Sequence, residues 1–472
     1  MKVLYVASEA LPFMASGGLG DVAGSLPVAL RKRLIGCRVV MPLYDGIKQE
    51  FKDQMKFITS ISVPVSWRRQ YCGIFEAKAN GVIYYFLDNQ YYFKRDGIYG
   101  HYDDAERFAF FARAVLEIIP AIDWKPDIIH CNDWQSALTP LYYSCYYANR
   151  MGYENIKTVF TIHNIQYQGK YGDELLNDVL GIAPEHNNLI MYDGLVNFMK
   201  AGIECANKVT TVSPTYAKEI LTGEYGEGMD YTLRGAQHKL KGILNGIDYD
   251  VFNPKKDKTI IKNYDVKSVK NKEENKKKVC EAFGLEYNTE RPLFAFISRL
   301  VPQKGLDLIR AAENDLKNCN ADFIFLGSGN SDYENLLIWL SNNSANIRAY
   351  IGYRGDLANQ IYAGSDFFLM PSKFEPCGLS QLIAMRYGSL PVVRATGGLE
   401  DTVTGYPLAD STGFKFWGYD AWDMMSAINC ASGVYKDKYT FNAMRKSAME
   451  ADFSWKKSSL EYLNMYRELV NT

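Results

Sequence analysis

KVLYVASEALPFMASGGLGDVAGSLPVAL (2–30) reads as a strand, a glycine-rich turn and a helix: a short run of Val, Leu and Tyr, then SGGLGD, then apolar residues at helical spacing. The same rhythm continues along the chain. CRVVMP, VIYYFL, DIIHC, KTVFTIH and KVTTVS follow in the first half, and LFAFIS, DFIFLG, IRAYIGY, DFFLMP and LPVVRA in the second. Short β-branched and aromatic runs alternating with longer helix-patterned stretches predict parallel sheets built from βαβ units.

Between the two groups lies NPKKDKTIIKNYDVKSVKNKEENKKKVCEAFGL (253–285), crowded with Lys and poor in large apolar residues. It reads as a domain junction followed by a solvated helix, because interleaved Glu and Asp argue for a wet surface rather than a polyanion site. SGGLGD (16–21) has an echo in TGGLED (396–401), each following a strand of its own half. The expectation is an α/β chain of two Rossmann-like domains, 1–252 and 253–450, facing a central cleft. Ligands in such sheets bind beyond the carboxyl ends of the strands. Apolar residues at helical spacing in DFSWKKSSLEYLNMYRELV predict a final helix, within 451–472, packing back on the first domain.

Composition narrows the function. A chain of 472 residues with a net charge of −1 offers no whole-protein electrostatic case for binding nucleic acid or an anionic membrane. Nine cysteines, with no CxxC pair, suggest neither a disulfide framework nor a zinc cluster, and read as reduced thiols of a cytosol. The amino-terminal run carries Glu9 and lacks a signal peptide's long apolar stretch. Even FAFFARAVLEIIPAIDW (108–124) is interrupted by Arg113 and Glu117, so no membrane span is expected.

The chemistry-bearing residues follow strands. Gly17 and Gly18 lack side chains, so their backbone amides can close on a phosphate beside Ser16, with a helix starting near Asp21 pointing its positive end there; a tight turn needing positive φ explains the pair equally well. SRLVPQKG (298–305) places Arg299 and Lys304 on one loop edge, a pairing suited to a diphosphate. SKFEPCGLSQL (372–382) sets Glu375 beside the amides of Cys377, Gly378 and Leu379 at a helix start, able to hold sugar hydroxyls and phosphate, or merely to complement the helix dipole. In HCNDWQSAL (130–138) and TIHNIQYQG (161–169), Asn132, Asp133, His163, Asn164 and Gln168 are placed to ring a polyhydroxylated ligand, and NGID (245–248) adds Asn245 and Asp248. DYD (248–250) matches a metal-holding DxD pattern, but a three-residue match without an accompanying cluster is weak, and cation-assisted departure by Arg299 and Lys304 is preferred.

Together ASGGLGDV, HCNDWQSAL, IHNIQYQG, LNGID, SRLVPQKGLD, SKFEPCGLSQLIAMRYGSLPVVRATGGLEDTV and TGFKF resemble, in order and over almost the whole chain, the bacterial glycogen synthase and plant starch synthase family. The resemblance implies a GT-B fold and a retaining glucosyltransferase. It would move glucose from a nucleotide sugar, usually ADP-glucose, to the 4-hydroxyl at the non-reducing end of glycogen or a malto-oligosaccharide, with no cofactor or metal. By the same resemblance Arg299 and Lys304 stabilise the leaving diphosphate and Glu375 is the catalytically important glutamate. Cys377, Thr396, Gly397 and Gly398 contact donor glucose and phosphate, Tyr353 stacks on the base, and Asn245 and His163 lie near the sugar. Two departures stand out. Ala15 and Ser16 replace the Lys and Thr of a KTGGL motif, weakening the case for ADP-glucose over UDP-glucose, and Asn132 stands where many bacterial members have His. The implied location is cytoplasmic, or the plastid stroma for a plant-type chain.

Overall fold

The computed structural model describes residues 1–471 and divides into two compact units, Met1–Gly246 with Trp455–Thr472, and Ile247–Ser454. Strands β1 (Lys2–Val6), β2 (Gly36–Pro42), β3 (Lys56–Val65), β4 (Arg68–Ala79), β5 (Val82–Asp88), β6 (Ile128–Asn132) and β7 (Lys157–Ile162) open the first unit. They are followed by β8 (Lys170–Tyr171), β9 (Met191–Tyr192), β10 (Leu195–Asn197), β11 (Lys208–Thr211) and β12 (Leu240–Gly242). Nine of them form one sheet in the order β12-β11-β7-β6-β1-β2-β5-β4-β3, while β8, β10 and β9 pair in a small antiparallel sheet. The pairs from β12 to β5 are parallel; β4 and β3 are added antiparallel at one edge. The chain runs from β1 to β2 on one side and returns to β6 on the other, so strand order reverses between β1 and β6.

The second unit holds β13 (Leu293–Ile297), β14 (Asp322–Gly327), β15 (Ile347–Ile351), β16 (Phe367–Met370), β17 (Leu390–Arg394) and β18 (Phe414–Phe416) in the order β15-β14-β13-β16-β17-β18. Every pair is parallel. Order reverses here between β13 and β16. Both strands are wholly buried and almost continuously apolar, as expected of strands covered on both faces.

Two expectations change. The boundary falls after Gly246, not at 252, because Ile247–Phe252 is tied into the second unit: the Ile247 amide donates to Phe453 O at 2.9 Å and Tyr249 Oη to Ala451 O at 3.0 Å. The Lys-rich helix Lys272–Phe283 is not simply solvated, since Lys272, Asn275 and Lys276 are buried. Lys272 Nζ donates to Tyr362 O and Ala363 O at 2.9 and 2.8 Å, near the carboxyl end of helix Gly355–Gly364, where a cation complements the dipole. Lys276 Nζ meets Asp366 Oδ2 at 2.8 Å, and Arg445 Nη2 meets Asp366 Oδ1 at 3.0 Å. These two cations overcome burial and hold the Asp366 carboxyl below its usual range.

In the first unit the final helix, Trp455–Val470, follows helix Gly18–Lys32: Arg33 Nε donates to Ser459 Oγ at 2.8 Å. Tyr466 Oη and His130 Nδ1 are 2.6 Å apart.

Candidate active site

In the second unit three neighbouring strands, β13, β16 and β17, deliver three loops to one place. The β13 loop carries Arg299, which is exposed, and turns at Pro302–Lys304. It hugs the β16 loop so closely that a Cβ on Gly305, at φ +77°, would lie 2.0 Å from Pro371 O. Lys304 Nζ thereby reaches Glu375 Oε2 at 2.7 Å, and Ser372 Oγ donates to the same oxygen at 3.0 Å. Gln303 reinforces the contact, its Nε2 donating to Phe374 O at 3.1 Å and its carbonyl accepting from Lys373 N at 2.9 Å. Glu375 is buried and Lys304 half-buried, so the pair is largely shielded from water. An ammonium has three N–H donors, which leaves Lys304 capacity for an anionic ligand.

The β17 loop closes the other side. The Gly398 amide donates to Glu375 O at 3.0 Å and Pro376 O at 3.2 Å. Any Cβ on Gly397 would lie 2.0 Å from Glu375 O, and on Gly398 2.0 Å from Cys377 O. These glycines let two loops touch backbone to backbone, which is the physical content of the TGG signature. The Gly398 amide is engaged in that contact, which shapes the loop. Thr396 is the N-cap residue of helix Gly397–Thr402 and Leu379 that of helix Ser380–Arg386, while Gly378 has φ +68°. Gln381 Nε2 fixes the turn by donating to Cys377 O and Gly378 O at 3.0 and 2.9 Å. Tyr353 is 77% exposed just beyond β15, a ring presented at the sheet's carboxyl edge.

In the first unit the polar residues gather beyond β1, β6, β7 and β12. Helix Gly18–Lys32 begins at Gly18 rather than near Asp21, and Gly17 has φ −166°, so the turn needs no left-handed residue. Ser16 is held by Glu9: its amide and hydroxyl both donate to Glu9 Oε2, at 2.5 and 2.7 Å. Burial raises the Glu9 carboxyl above its ordinary range against these bonds. Asn245 is buried, and its Oδ1 has no hydrogen-bond partner among the described residues.

Asn132, His163 and Asp133 do converge. His163 Nε2 lies 2.9 Å from Asn132 Oδ1, and Asp133 Oδ1 accepts from the His163 and Asn164 amides at 2.7 and 3.4 Å. Burial keeps His163 neutral, its pKa lowered to about 3, and raises Asp133 to about 7. Asp133 also adopts φ +55°. Gln168 and Asn164 are drawn into hydrogen bonds within their own unit. Gln168 Nε2 donates to Glu227 O at 2.9 Å and its Oε1 accepts from Asn197 at 2.8 Å, while Asn164 Oδ1 accepts the Gln166 amide at 3.0 Å. Asp248 Oδ1 likewise accepts the Asp250 amide at 2.8 Å, so DYD forms a local turn. Among the described residues no group of three or more His, Cys, Asp or Glu is arranged to hold a metal ion.

Glu9, Ser372, Gln303 and Gln381 were not singled out from sequence. Glu9 alone left a signal, an acid three residues past a strand in a parallel sheet.

A family model described as the starch synthase catalytic domain matches residues 2–235, and one described as glycosyl transferases group 1 matches 281–429. With polar loops at the carboxyl ends of two α/β sheets, these matches define a nucleotide-sugar glycosyltransferase of the GT-B fold. Glycogen synthases of Clostridium botulinum and Exiguobacterium sibiricum are each 49% identical, over 99% of this chain and 99% of theirs. That of Clostridioides difficile is 48% identical over the whole of both. The chain belongs to the glycogen synthase and starch synthase family. The catalytic domain of starch synthase IV from Arabidopsis thaliana, solved with ADP and acarbose bound, superposes with a TM-score of 0.92 at 35% identity, covering 100% of this chain and 99% of that one.

Proposed function

We propose that the chain elongates an α-1,4-glucan, taking glucose from ADP-glucose and adding it with retention to the 4-hydroxyl of the non-reducing end. The observation that carries this reading is the Lys304–Glu375 contact at the strand-order reversal of the second sheet, flanked by exposed Arg299. Cations there neutralise charge that grows on a departing diphosphate, an electrostatic effect worth most where water is excluded. Glu375 and the loop around Cys377 orient the donor glucose, Tyr353 stacks on the base, and His163 meets a sugar hydroxyl. The ADP and acarbose bound to the Arabidopsis starch synthase support an adenosine diphosphate-linked donor and a glucan-like acceptor.

In the reaction the anomeric C–O bond to phosphate breaks as the acceptor oxygen forms the new C–O bond on the same face. The departing phosphate takes the acceptor's proton. Neither step asks for an enzyme nucleophile. Holding the acceptor oxygen against the anomeric carbon, on the face the phosphate leaves, can supply about 7–11 kcal/mol of the barrier.

Ala15 favours one alternative. It is exposed just before SGGLGD and supplies no cation to the donor, which leaves room for UDP-glucose. Transfer rates from ADP-glucose and UDP-glucose to glycogen, measured side by side, decide between them: a clear preference for UDP-glucose would overturn the ADP assignment.

A further inference from the structure

Asn132 was expected to bind a sugar hydroxyl, yet it is fully enclosed and its side chain has no hydrogen-bonding capacity to spare. Its Nδ2 donates to Val6 O at 2.9 Å and His130 O at 3.3 Å. Both acceptors are backbone carbonyls, so the amide cannot be flipped without setting oxygen against oxygen. Oδ1 must then face the other way, where Tyr5 Oη donates to it at 2.9 Å and His163 Nε2 lies 2.9 Å away. An amide oxygen only accepts. His163 therefore carries its proton on Nε2, and because burial keeps the ring neutral, Nδ1 is a bare acceptor.

We infer that Asn132, backed by Tyr5, is a positioning residue that locks His163 in its Nε2–H tautomer, so that His163 can only accept a hydrogen bond from a substrate hydroxyl. The geometry behind it is rigid. Tyr5 lies in β1 opposite His130 of β6, where strand order reverses, and Ser136 Oγ accepts the Asn132 amide at 2.6 Å and donates to its carbonyl at 2.7 Å. Nδ1 of His163 has no partner among the described residues. The inference rests on the proposed role of His163 at the sugar, but the tautomer itself can be read without any activity.

Nitrogen NMR on the full chain labelled with 15N-histidine reads it directly, since there are five histidines and His163→Gln assigns the signal. An Nε2–H signature in the wild type is expected; an Nδ1–H form, or an even mixture, would overturn the lock. A kinetic cycle gives the second arm. Asn132→Ala should lower kcat roughly tenfold in the wild-type background, with little change in donor KM, but cost nothing further in His163→Ala. Independent losses that multiply would show that Asn132 acts elsewhere, and a wild-type NMR result stands even if Asn132→Ala fails to fold. Should the NMR signature hold while no nucleotide sugar is turned over, the proposed function fails and the tautomer lock survives.

Discussion

Lys304 and Glu375 meet at 2.7 Å although 71 residues separate them, because each lies in the loop after a strand bordering the point where strand order reverses. Removing the lysine should leave the fold intact and the reaction crippled. Lys304→Ala is expected to lower kcat by about 10²–10³-fold, the usual cost of one preorganised charge donor, with Arg299→Ala somewhat milder. Steady-state kinetics with ADP-glucose and glycogen check this; near wild-type rates in both variants would remove the leaving-group role.

Gly398→Ala tests the loop contact. The added Cβ would face the backbone oxygen of Cys377 at 2.0 Å, which has no flexible side chain to yield. A loss of about 1–3 kcal/mol in urea unfolding is expected, together with loss of the thermal stabilisation that ADP confers on the wild type. Unchanged stability and ADP response would contradict the backbone-to-backbone reading.

The buried ion cluster gives a stability prediction away from the reaction. In Lys276→Met, Asp366 keeps Arg445 as its one cation, beside the Leu293 amide, and about 3–5 kcal/mol should be lost. Asp366 titrates lower when folded than unfolded, so its contribution is present above its unfolded pKa and fades as the solution is acidified. The gap between wild type and Lys276→Met, measured by urea unfolding, should narrow as pH falls through the acid range.

Asp133 works with the opposite sign. Its folded pKa of about 7 lies above the usual carboxylate range, so the folded state holds a proton the unfolded chain has given up. Its contribution is greatest in acid and falls as pH rises toward and through 7. Asp133→Asn, which tolerates the same positive φ, should therefore gain stability relative to wild type at about pH 8 compared with about pH 5. Equal differences at both values would contradict a protonated Asp133.

Most parallel strands of the two sheets were legible because buried strands are continuous apolar runs, as in LFAFI and FFLM, while the three-residue strands β12 and β18 at the sheet edges were not. The edge pair β3 and β4 was not. KFITSISVPV and RRQYCGIFEAKA mix polar and apolar residues, and positions that are mostly exposed or half-exposed give a weak pattern. Arg299, Lys304 and Glu375 stood out because each follows a strand. What Asn132 does was hidden: a residue name tells nothing of whether its amide meets solvent or, as here, two carbonyls and two donors. Lys276 misled for the same reason, since its partner Asp366 is 90 residues away.

Transfer of radiolabelled glucose from ADP-glucose into glycogen, with and without a chelator, tests the central claim most directly. Label should enter the polymer at the same rate in both and fall sharply in Lys304→Ala. No incorporation by the wild-type chain, or incorporation abolished by the chelator, would contradict it.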